Sequence, residues 1–351
     1  MSKIAINGSF FQSRITGMER FSIEIIKELD KICPVEKYEL IVPKYIELDL
    51  SLNNITIVKY GKLKGKMWTQ IDFGYYILKN GMIPLSLNSI VPVLKPGVVC
   101  IHDITFRVNK ELFKENFRSK ISVLWRNFQY KICFKYSPLI FTVSEFSKTE
   151  MLKFYSYNPN QIVVLGNGWN HMTHIVSDSS IIKRYPNLLS KPFFFSLNSL
   201  AENKNIKWII ESASFHPQYN FIIGGGTINK FGESFKKEGY TNIHFVGYLS
   251  DGEIKFLMQR CKAFIFPSVY EGFGIPPLEA LSVGAKIIIS KSACLPEIFG
   301  GCAYYIDPYT PCNNFDDLLK KEVSNKDVVL NMYSWNTLAK KMIDSIENLK
   351  M

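Results

Sequence analysis

The chain has 351 residues, of which 47% are hydrophobic, and it carries a formal net charge of +11 at pH 7. This length exceeds what a single hydrophobic core usually supports, so we expect two domains. The seven cysteines show no C-x-x-C spacing, which argues against a disulfide framework or a cysteine zinc site and favours reduced, buried thiols. No apolar run reaches the length of a membrane span, so we expect any membrane contact to be peripheral.

Short apolar strands alternate with amphipathic helical stretches in the first half of the chain. This alternation is typical of parallel β-α-β units. Because the chain begins on a strand and not on a signal-peptide pattern, we expect a cytoplasmic protein. The predicted strands of this half are Lys3–Asn7, Tyr38–Val42, Ile55–Tyr60, Val98–Ile101, Leu139–Val143 and Ile162–Leu165.

The pattern stops in an aperiodic stretch and then starts again. We therefore predict a first domain at 1–170, a linker at 171–190 and a second domain at 191–334. The closing stretch, 335–351, is predicted to be helical, and whether it packs on the first domain is left open. The predicted strands of the second half are Phe193–Leu197, Phe221–Ile223, His244–Val246, Ala263–Phe266, Lys286–Ile289 and Tyr304–Ile306.

The most informative segment is the run from Ser268 to Ala280, in which Glu271 and Glu279 stand eight residues apart. Glycines 272 and 274 predict a tight turn, and the two prolines after it suit the first turn of a helix. The first carboxylate is thus predicted on a loop and the second in the opening turn of a helix. Amides of such a turn and helix start bind phosphate, so the pattern fits a nucleotide-sugar, with one carboxylate for sugar hydroxyls and one for the ribose.

This run resembles the C-terminal signature of glycosyltransferase family 4, the retaining enzymes of the GT-B fold. The resemblance implies two facing, doubly wound Rossmann-like domains with a cleft between them, which bind the acceptor (first domain) and the nucleotide-sugar (second domain). By the same resemblance, Glu271 contacts the transferred sugar, Glu279 contacts the ribose, and Phe273, Gly274 and Ile275 lie at the donor phosphates. The alternative is a structural strand-turn-helix with two solvated carboxylates.

Two segments of the first half follow predicted strands, where doubly wound folds place their ligands. Gly17 and Arg20 lie between the first strand and a helix, in an Ile-Thr-Gly-x-x-Arg pattern that resembles the first loop of family 4 enzymes. The resemblance places Gly17 at the donor phosphates and Arg20 near the phosphates or the acceptor. His102 and Asp103 directly follow Val98–Ile101, and the resemblance makes His102 a contact to the transferred sugar and Asp103 a candidate acceptor contact. A structural role remains the alternative for each.

Two further segments complete the candidate site. Lys204 follows the strand Phe193–Leu197, where the family shows Pro-Arg-Lys-Asn and its basic residues neutralise the leaving diphosphate. Here Asn203 stands in place of the arginine, which puts the strength of that neutralisation in doubt. Tyr248 lies in a Phe-x-Gly-x-x-Ser stretch that resembles the family segment whose backbone contacts the base.

The charge is concentrated in the first half, and residues 107–135 hold eight basic and two acidic residues together with several aromatic ones. Such a stretch favours an anionic surface such as a membrane, or else a core-packed helix with a solvated basic face. We expect no metal or other cofactor, because the five histidines show no ligand spacing. No nucleic-acid-binding signature accompanies the charge, so we expect no nucleic-acid partner.

Together these features predict a retaining glycosyltransferase. It moves a hexose or deoxyhexose from a nucleotide-diphosphate sugar to a hydroxyl of a lipid-linked saccharide, at the inner face of the plasma membrane. The resemblance implies assembly of a bacterial surface polysaccharide, such as capsule or the O-antigen of lipopolysaccharide. Two alternatives stay open: a GT-B enzyme with a soluble acceptor, and a non-catalytic subunit that binds sugars or membranes.

Overall fold

The computed structural model describes residues 3–13, 15–108, 117–198, 201–225 and 240–349. The chain divides into a first unit, residues 1–168 with 333–351, and a second unit, residues 169–332. The predicted linker at 171–190 belongs to the second unit, to which it contributes most of the 3-10 helix Asn170–Thr173 and a short α-helix. Part of the basic stretch, 109–116, lies outside the described residues.

The first unit is built on a seven-stranded parallel sheet of order β3-β2-β1-β4-β5-β6-β7. Its strands are β1 Ile4–Asn7, β2 Tyr38–Val42, β3 Thr56–Lys59, β4 Ile83–Ser86, β5 Val98–Cys100, β6 Ile140–Thr142 and β7 Ile162–Val164. Its helices before residue 168 are α1 Gly17–Ile32, α2 Gly65–Met67, α3 Gly74–Lys79, α4 Thr105–Val108, α5 Phe117–Tyr136 and α6 Glu145–Phe154, and the π-helix Trp68–Phe73 joins α2 to α3.

The strand β4 is not among the predicted strands, since a proline inside a central strand argues against a strand. Pro84 lies in β4, opposite Ala5 of β1. On the other side, the pairing of β4 with β5 begins only at Leu85, so the missing N–H of the proline removes no bond of that ladder. Gly97 lies against Pro84, and a Cβ at position 97 would be 2.3 Å from the Pro84 carbonyl oxygen. The glycine therefore lets the strand β5 start beside the proline.

The second unit is built on a six-stranded parallel sheet of order β10-β9-β8-β11-β12-β13. All six of its strands lie where the sequence predicted them: β8 Phe193–Leu197, β9 Asn220–Gly224, β10 Ile243–Gly247, β11 Ala263–Phe266, β12 Ile287–Ser290 and β13 Tyr304–Ile306. Its helices are α7 Ile181–Arg184, α8 Ile206–Ser214, α9 Asp251–Arg260, α10 Ile275–Ser282, α11 Leu295–Phe299, α12 Phe315–Leu318 and α13 Asp327–Met332.

The last helix, α14 Trp335–Glu347, returns to the first unit and packs along α1. Trp335 is fully buried, and its ring meets the edge of the Phe21 ring at 5.9 Å between centroids. Gly168 packs directly against this indole, and a Cβ at position 168 would lie only 2.5 Å from the Trp335 side chain. The helix thus completes the core of the first unit.

Each sheet reverses its strand order once, between β1 and β4 in the first unit and between β8 and β11 in the second. In doubly wound folds, ligands bind beyond the carboxyl ends of the strands at such a reversal. The predicted doubly wound α/β fold is confirmed. Each reversal marks the edge of its sheet at which a ligand is expected to bind. Over the described residues, no helix combines the length and apolarity needed to cross a bilayer.

Candidate active site

The loops that leave β8 and β11 bring Lys204 and Glu271 together. Because these strands are parallel neighbours, both loops emerge at the same edge of the sheet. The Lys204 Nζ lies 2.6 Å from the Glu271 Oε1, and the two side chains are only 25% and 13% exposed. An ion pair so largely removed from water attracts more strongly than a surface pair. The pair places one cation and one carboxylate at the reversal point of the sheet.

Asn203 links these two loops by hydrogen bonds. Its side-chain Nδ2 donates to the Tyr270 carbonyl at 3.1 Å, and its own carbonyl accepts from the Val269 amide at 2.9 Å. The residue that replaces the family's arginine therefore positions the loop carrying Glu271. Its predicted contact with the donor stays a prediction.

Gly274 turns the chain into α10, and only glycine suits this position. Its φ is +102°, and a Cβ would lie 2.9 Å from the Leu295 side chain. The next residue, Ile275, begins the helix, and it is followed by Pro276 and Pro277, which have no N–H. Among the first three helical residues, only Ile275 can offer an amide to an anion. An anion site here therefore depends on that amide and on the turn before it.

Glu279 is the fifth residue of α10 and lies in its second turn, not in the opening turn as predicted. Its Oε1 lies 2.9 Å from the His171 Nε2, and the two side chains are 12% and 5% exposed. Since a carboxylate only accepts, the His171 ring donates this bond. Sequence reasoning missed His171, because it lies 108 positions away in a stretch predicted to be a linker.

The remaining predicted donor contacts differ in their exposure. Tyr248 is 71% exposed and follows β10, two strands away from β8. The structure therefore does not bring it to the Lys204–Glu271 pair. The Phe273 side chain is buried in the core, so only its backbone is suited to meet a ligand.

In the first unit, Gly17 is the first residue of α1, and Arg20 lies in the first turn of that helix. The Glu19 carboxylate accepts from the Thr16 amide at 3.1 Å, which forms a capping box with Thr16. The cap fixes where α1 begins and so positions the Gly17 amide. The roles of Gly17 and Arg20 stay predictions.

His102 is buried at the end of β5, where its ring meets the edge of the Phe21 ring at 4.7 Å between centroids. The His102 Nε2 lies 2.9 Å from the Leu87 carbonyl oxygen, so this nitrogen carries the proton. Burial lowers the pKa of His102 below its usual 6.5, which makes the neutral ring the main form at neutral pH. In that form Nδ1 is an acceptor, suited to a hydroxyl group. The neighbouring Asp103 accepts from the Thr105 amide at 2.8 Å.

Comparisons with known proteins agree with this architecture. Residues 178–347 match the family described as "Glycosyl transferases group 1". The O-antigen chain mannosyltransferase B of Escherichia coli is 24% identical over 338 residues, which cover 84% of each chain. The N,N'-diacetylbacillosaminyl-diphospho-undecaprenol alpha-1,3-N-acetylgalactosaminyltransferase of Campylobacter jejuni is 27% identical over 222 residues, 61% of this chain and 55% of its own. Anabaena HepE in complex with UDP-glucose has a similar fold, with a TM-score of 0.73 at 16% identity over 99% of this chain and 100% of that one.

Fold and family agree on the class of protein: the chain is a glycosyltransferase with the two Rossmann-like domains of the GT-B fold. The match to the group 1 family of glycosyl transferases spans residues 178–347, which include most of the second unit. The predicted resemblance to enzymes of the bacterial surface-polysaccharide type is confirmed by its similarity to the E. coli mannosyltransferase.

Proposed function

We propose that this glycosyltransferase is retaining and transfers a hexose or deoxyhexose from a nucleotide-diphosphate sugar to a lipid-linked saccharide. The product belongs to a bacterial surface polysaccharide, as the name of the E. coli relative suggests for that protein. The observation that carries the proposal is the Lys204–Glu271 pair at the reversal point of the second sheet. It offers a cation for a diphosphate beside a carboxylate for sugar hydroxyls.

In the proposed donor site, Lys204 and the Ile275 amide stabilise the negative charge of the departing diphosphate. Charge stabilisation by fixed groups is usually the largest contribution to catalysis. Glu271 accepts hydrogen bonds from the sugar, and Glu279, held by His171, accepts from the ribose diol. His102 offers its neutral Nδ1 to a hydroxyl of the transferred sugar.

The proposed reaction needs no protein nucleophile. The bond between the sugar C1 and the diphosphate oxygen breaks, and the acceptor hydroxyl oxygen forms a new bond to C1 on the same face. The hydroxyl proton passes to the departing phosphate oxygen, and the nucleoside diphosphate leaves. This retention of configuration requires only charge stabilisation and positioning from the protein.

Two exposed apolar stripes in the first unit support a lipid-linked acceptor. One lies on the continuous helical segment 65–79 and the other on α5. The two segments are neighbours, because the Lys66 Nζ lies 5.8 Å from the centre of the Trp125 ring. The first stripe consists of Met67, Ile71, Tyr75 and Leu78, and the second of Ile121, Leu124 and Phe128.

The second stripe continues at the same helical spacing into the exposed lysines 131 and 135. Apolar side chains flanked by lysines are typical of a helix that lies in the interface of an anionic membrane. We therefore propose that this face of the first unit contacts the membrane from the cytoplasmic side, which keeps the enzyme beside its lipid-linked acceptor.

A thermal-shift panel with UDP, GDP, dTDP and ADP tests the donor site. We expect one nucleotide to raise the unfolding midpoint of the wild type, because a ligand that binds only the folded form stabilises it. The same nucleotide should raise the midpoint of Glu279→Ala much less, because the proposed ribose contact is lost. No shift with any nucleotide at millimolar concentration would contradict the proposed donor site.

The membrane surface is tested separately by co-sedimentation with lipid vesicles. We expect binding to vesicles that contain phosphatidylglycerol and weak binding to pure phosphatidylcholine. The double variant Leu124→Gln/Phe128→Gln should lose this binding. Val176→Gln, at an exposed valine of the second unit, is the matched control. Equal binding of the double variant and the wild type would exclude this surface.

A further inference from the structure

A cavity of about 180 Å³ lies at the reversal point of the first sheet. It is lined by residues that follow β4 and β5, including Asn88 and His102. Lys66 and the α5 residues Trp125, Arg126 and Gln129 also line it. The cavity is large enough for one sugar ring, or for a phosphate and part of the group joined to it. The proposed sugar contact His102 is one of its lining residues.

Two cationic side chains, Lys66 and Arg126, line this cavity. Desolvation and the nearby Arg126 guanidinium both lower the pKa of Lys66, so the two positive charges lie close enough to repel each other. Within the described residues, neither side chain has an ion-pair partner. Asp103 also lines the cavity, and one of its oxygens accepts from the Thr105 amide. A ligand with negative charge would relieve the repulsion.

Three of the lining side chains carry a buried polar atom that has no hydrogen-bond partner in the described part of the chain: Asn88 Oδ1, Trp125 Nε1 and Gln129 Nε2. Gln129 is 2% exposed, and its Oε1 already accepts from the Val91 amide at 2.9 Å. Asn88 is 9% exposed, and its Nδ2 donates to the Ser9 hydroxyl at 3.1 Å. Each of these two side-chain amides thus has one polar atom in a hydrogen bond and, within the described residues, a second polar atom without a partner. Buried unsatisfied polar atoms are rare in native proteins and call for an explanation such as a ligand.

We propose that this cavity binds the phosphate-bearing sugar of the acceptor, with Lys66 and Arg126 at the phosphate and Asn88 and Gln129 at sugar hydroxyls. The inference rests on the proposed function, since it assigns a place to the acceptor of that reaction. The location supports it, because Lys66 directly precedes the first apolar stripe along the chain, and Trp125 and Arg126 lie between Leu124 and Phe128 of the second along α5. A phosphate joined to a lipid would lie at this level of the membrane interface.

Direct binding tests the cavity without relying on catalysis. Isothermal titration would use mannose, glucose and N-acetylglucosamine 1-phosphates, the corresponding free sugars, and inorganic phosphate. We expect one sugar phosphate to bind the wild type more tightly than either its free sugar or inorganic phosphate. Lys66→Gln and Arg126→Gln should each weaken that binding about tenfold, as expected for a lost charge contact. Arg126→Lys should restore part of it.

The matched control is Lys79→Gln, which removes the same charge from an exposed lysine at the end of the same helical segment. It should bind like the wild type. The proposal is overturned if no sugar phosphate binds at millimolar concentration, if inorganic phosphate binds as tightly as the sugar phosphate, or if the two cavity variants bind like the control. Unchanged unfolding midpoints would show that the variants are folded.

A transfer assay then separates this inference from the proposed function. The acceptors are a short-chain polyprenyl-diphosphate saccharide and an alkyl glycoside of the same saccharide. We expect Lys66→Gln and Arg126→Gln to raise the KM of the diphosphate acceptor about tenfold, with the donor KM and kcat unchanged. If the wild type uses neither acceptor, the proposed function fails, while the titration still decides on the cavity. If the wild type is active and the variants keep its KM, the cavity assignment fails alone.

Discussion

The His171 ring donates a 2.9 Å hydrogen bond to the Glu279 carboxylate, between two side chains that are almost entirely buried. His171 lies in the 3-10 helix Asn170–Thr173, and Glu279 in the second turn of α10. The bond fixes the orientation of a carboxylate that otherwise has several rotamers. We therefore interpret His171 as the positioning residue for the proposed ribose contact.

This relationship predicts coupled effects on nucleotide binding. His171→Asn should lower the affinity for the nucleotide found in the thermal-shift panel about five- to tenfold, because the Glu279 carboxylate is no longer held in one orientation. In Glu279→Ala, adding His171→Asn should have little further effect on affinity. Isothermal titration of the wild type, the two single variants and the double variant measures this. Glu211→Ala, at a partly exposed glutamate of the second unit, is the control. Additive losses of affinity would contradict a positioning role.

Removal of the Lys204 cation should slow the chemical step. We expect Lys204→Gln to lower kcat about 10²–10³-fold, the usual effect of losing one group that stabilises developing charge. Steady-state kinetics with a saturating donor measure this. Lys207→Gln, at an exposed lysine of the neighbouring helix that forms an ion pair with Glu211, should keep full activity. A Lys204→Gln enzyme with unchanged kcat would exclude Lys204 from catalysis.

The conformation of Gly274 should make it intolerant of alanine. We expect Gly274→Ala to lower the free energy of unfolding by about 2–4 kcal/mol, from backbone strain and contact with the Leu295 side chain. Gly284 separates these two causes, since its φ of +91° is similar while the nearest atom to its Cβ is 3.8 Å away. Gly284→Ala should cost only about 1 kcal/mol. Chemical denaturation measures both, and equal losses would show that contact with Leu295 adds nothing.

Burial of neutral His102 should make stability depend on pH. Its folded pKa lies below the ordinary 6.5, so the unfolded chain binds more protons between these two values. The stabilising contribution is therefore complete above about pH 6.5 and decreases as the pH falls toward the folded pKa, by at most about 1.4 kcal/mol per pH unit.

The measurement compares the unfolding free energies of the wild type and His102→Gln from about pH 7.5 to 5.5. The difference between them should shrink as the pH falls. Burial also lowers the pKa of His216 in the second unit, but that residue is present in both proteins and cancels in the difference. A difference that stays constant with pH would contradict the buried, neutral state of His102.

Much of the fold could be predicted from the sequence, because strand and helix periodicities are local properties of the chain. All six strands of the second sheet and the turn at Gly274 have local signals. The strand β4 has no such signal, because Pro84 argues against a strand. The proline is tolerated because the β4–β5 pairing begins only at Leu85. β4 also forms one side of the strand reversal beside the proposed acceptor cavity.

The candidate site divides in the same way. By itself, the sequence predicted the class of enzyme. It also indicated Lys204, Glu271 and Glu279 as candidate donor contacts, because each of them lies in a short motif that follows a strand. Only the tertiary structure decided that His171 orients Glu279, that Asn203 fastens the Glu271 loop, and that Lys66 meets Arg126 at a shared cavity. The physical reason is that these partners are far apart along the chain. Their contacts depend on how whole strands and helices pack, which no local pattern of residues encodes.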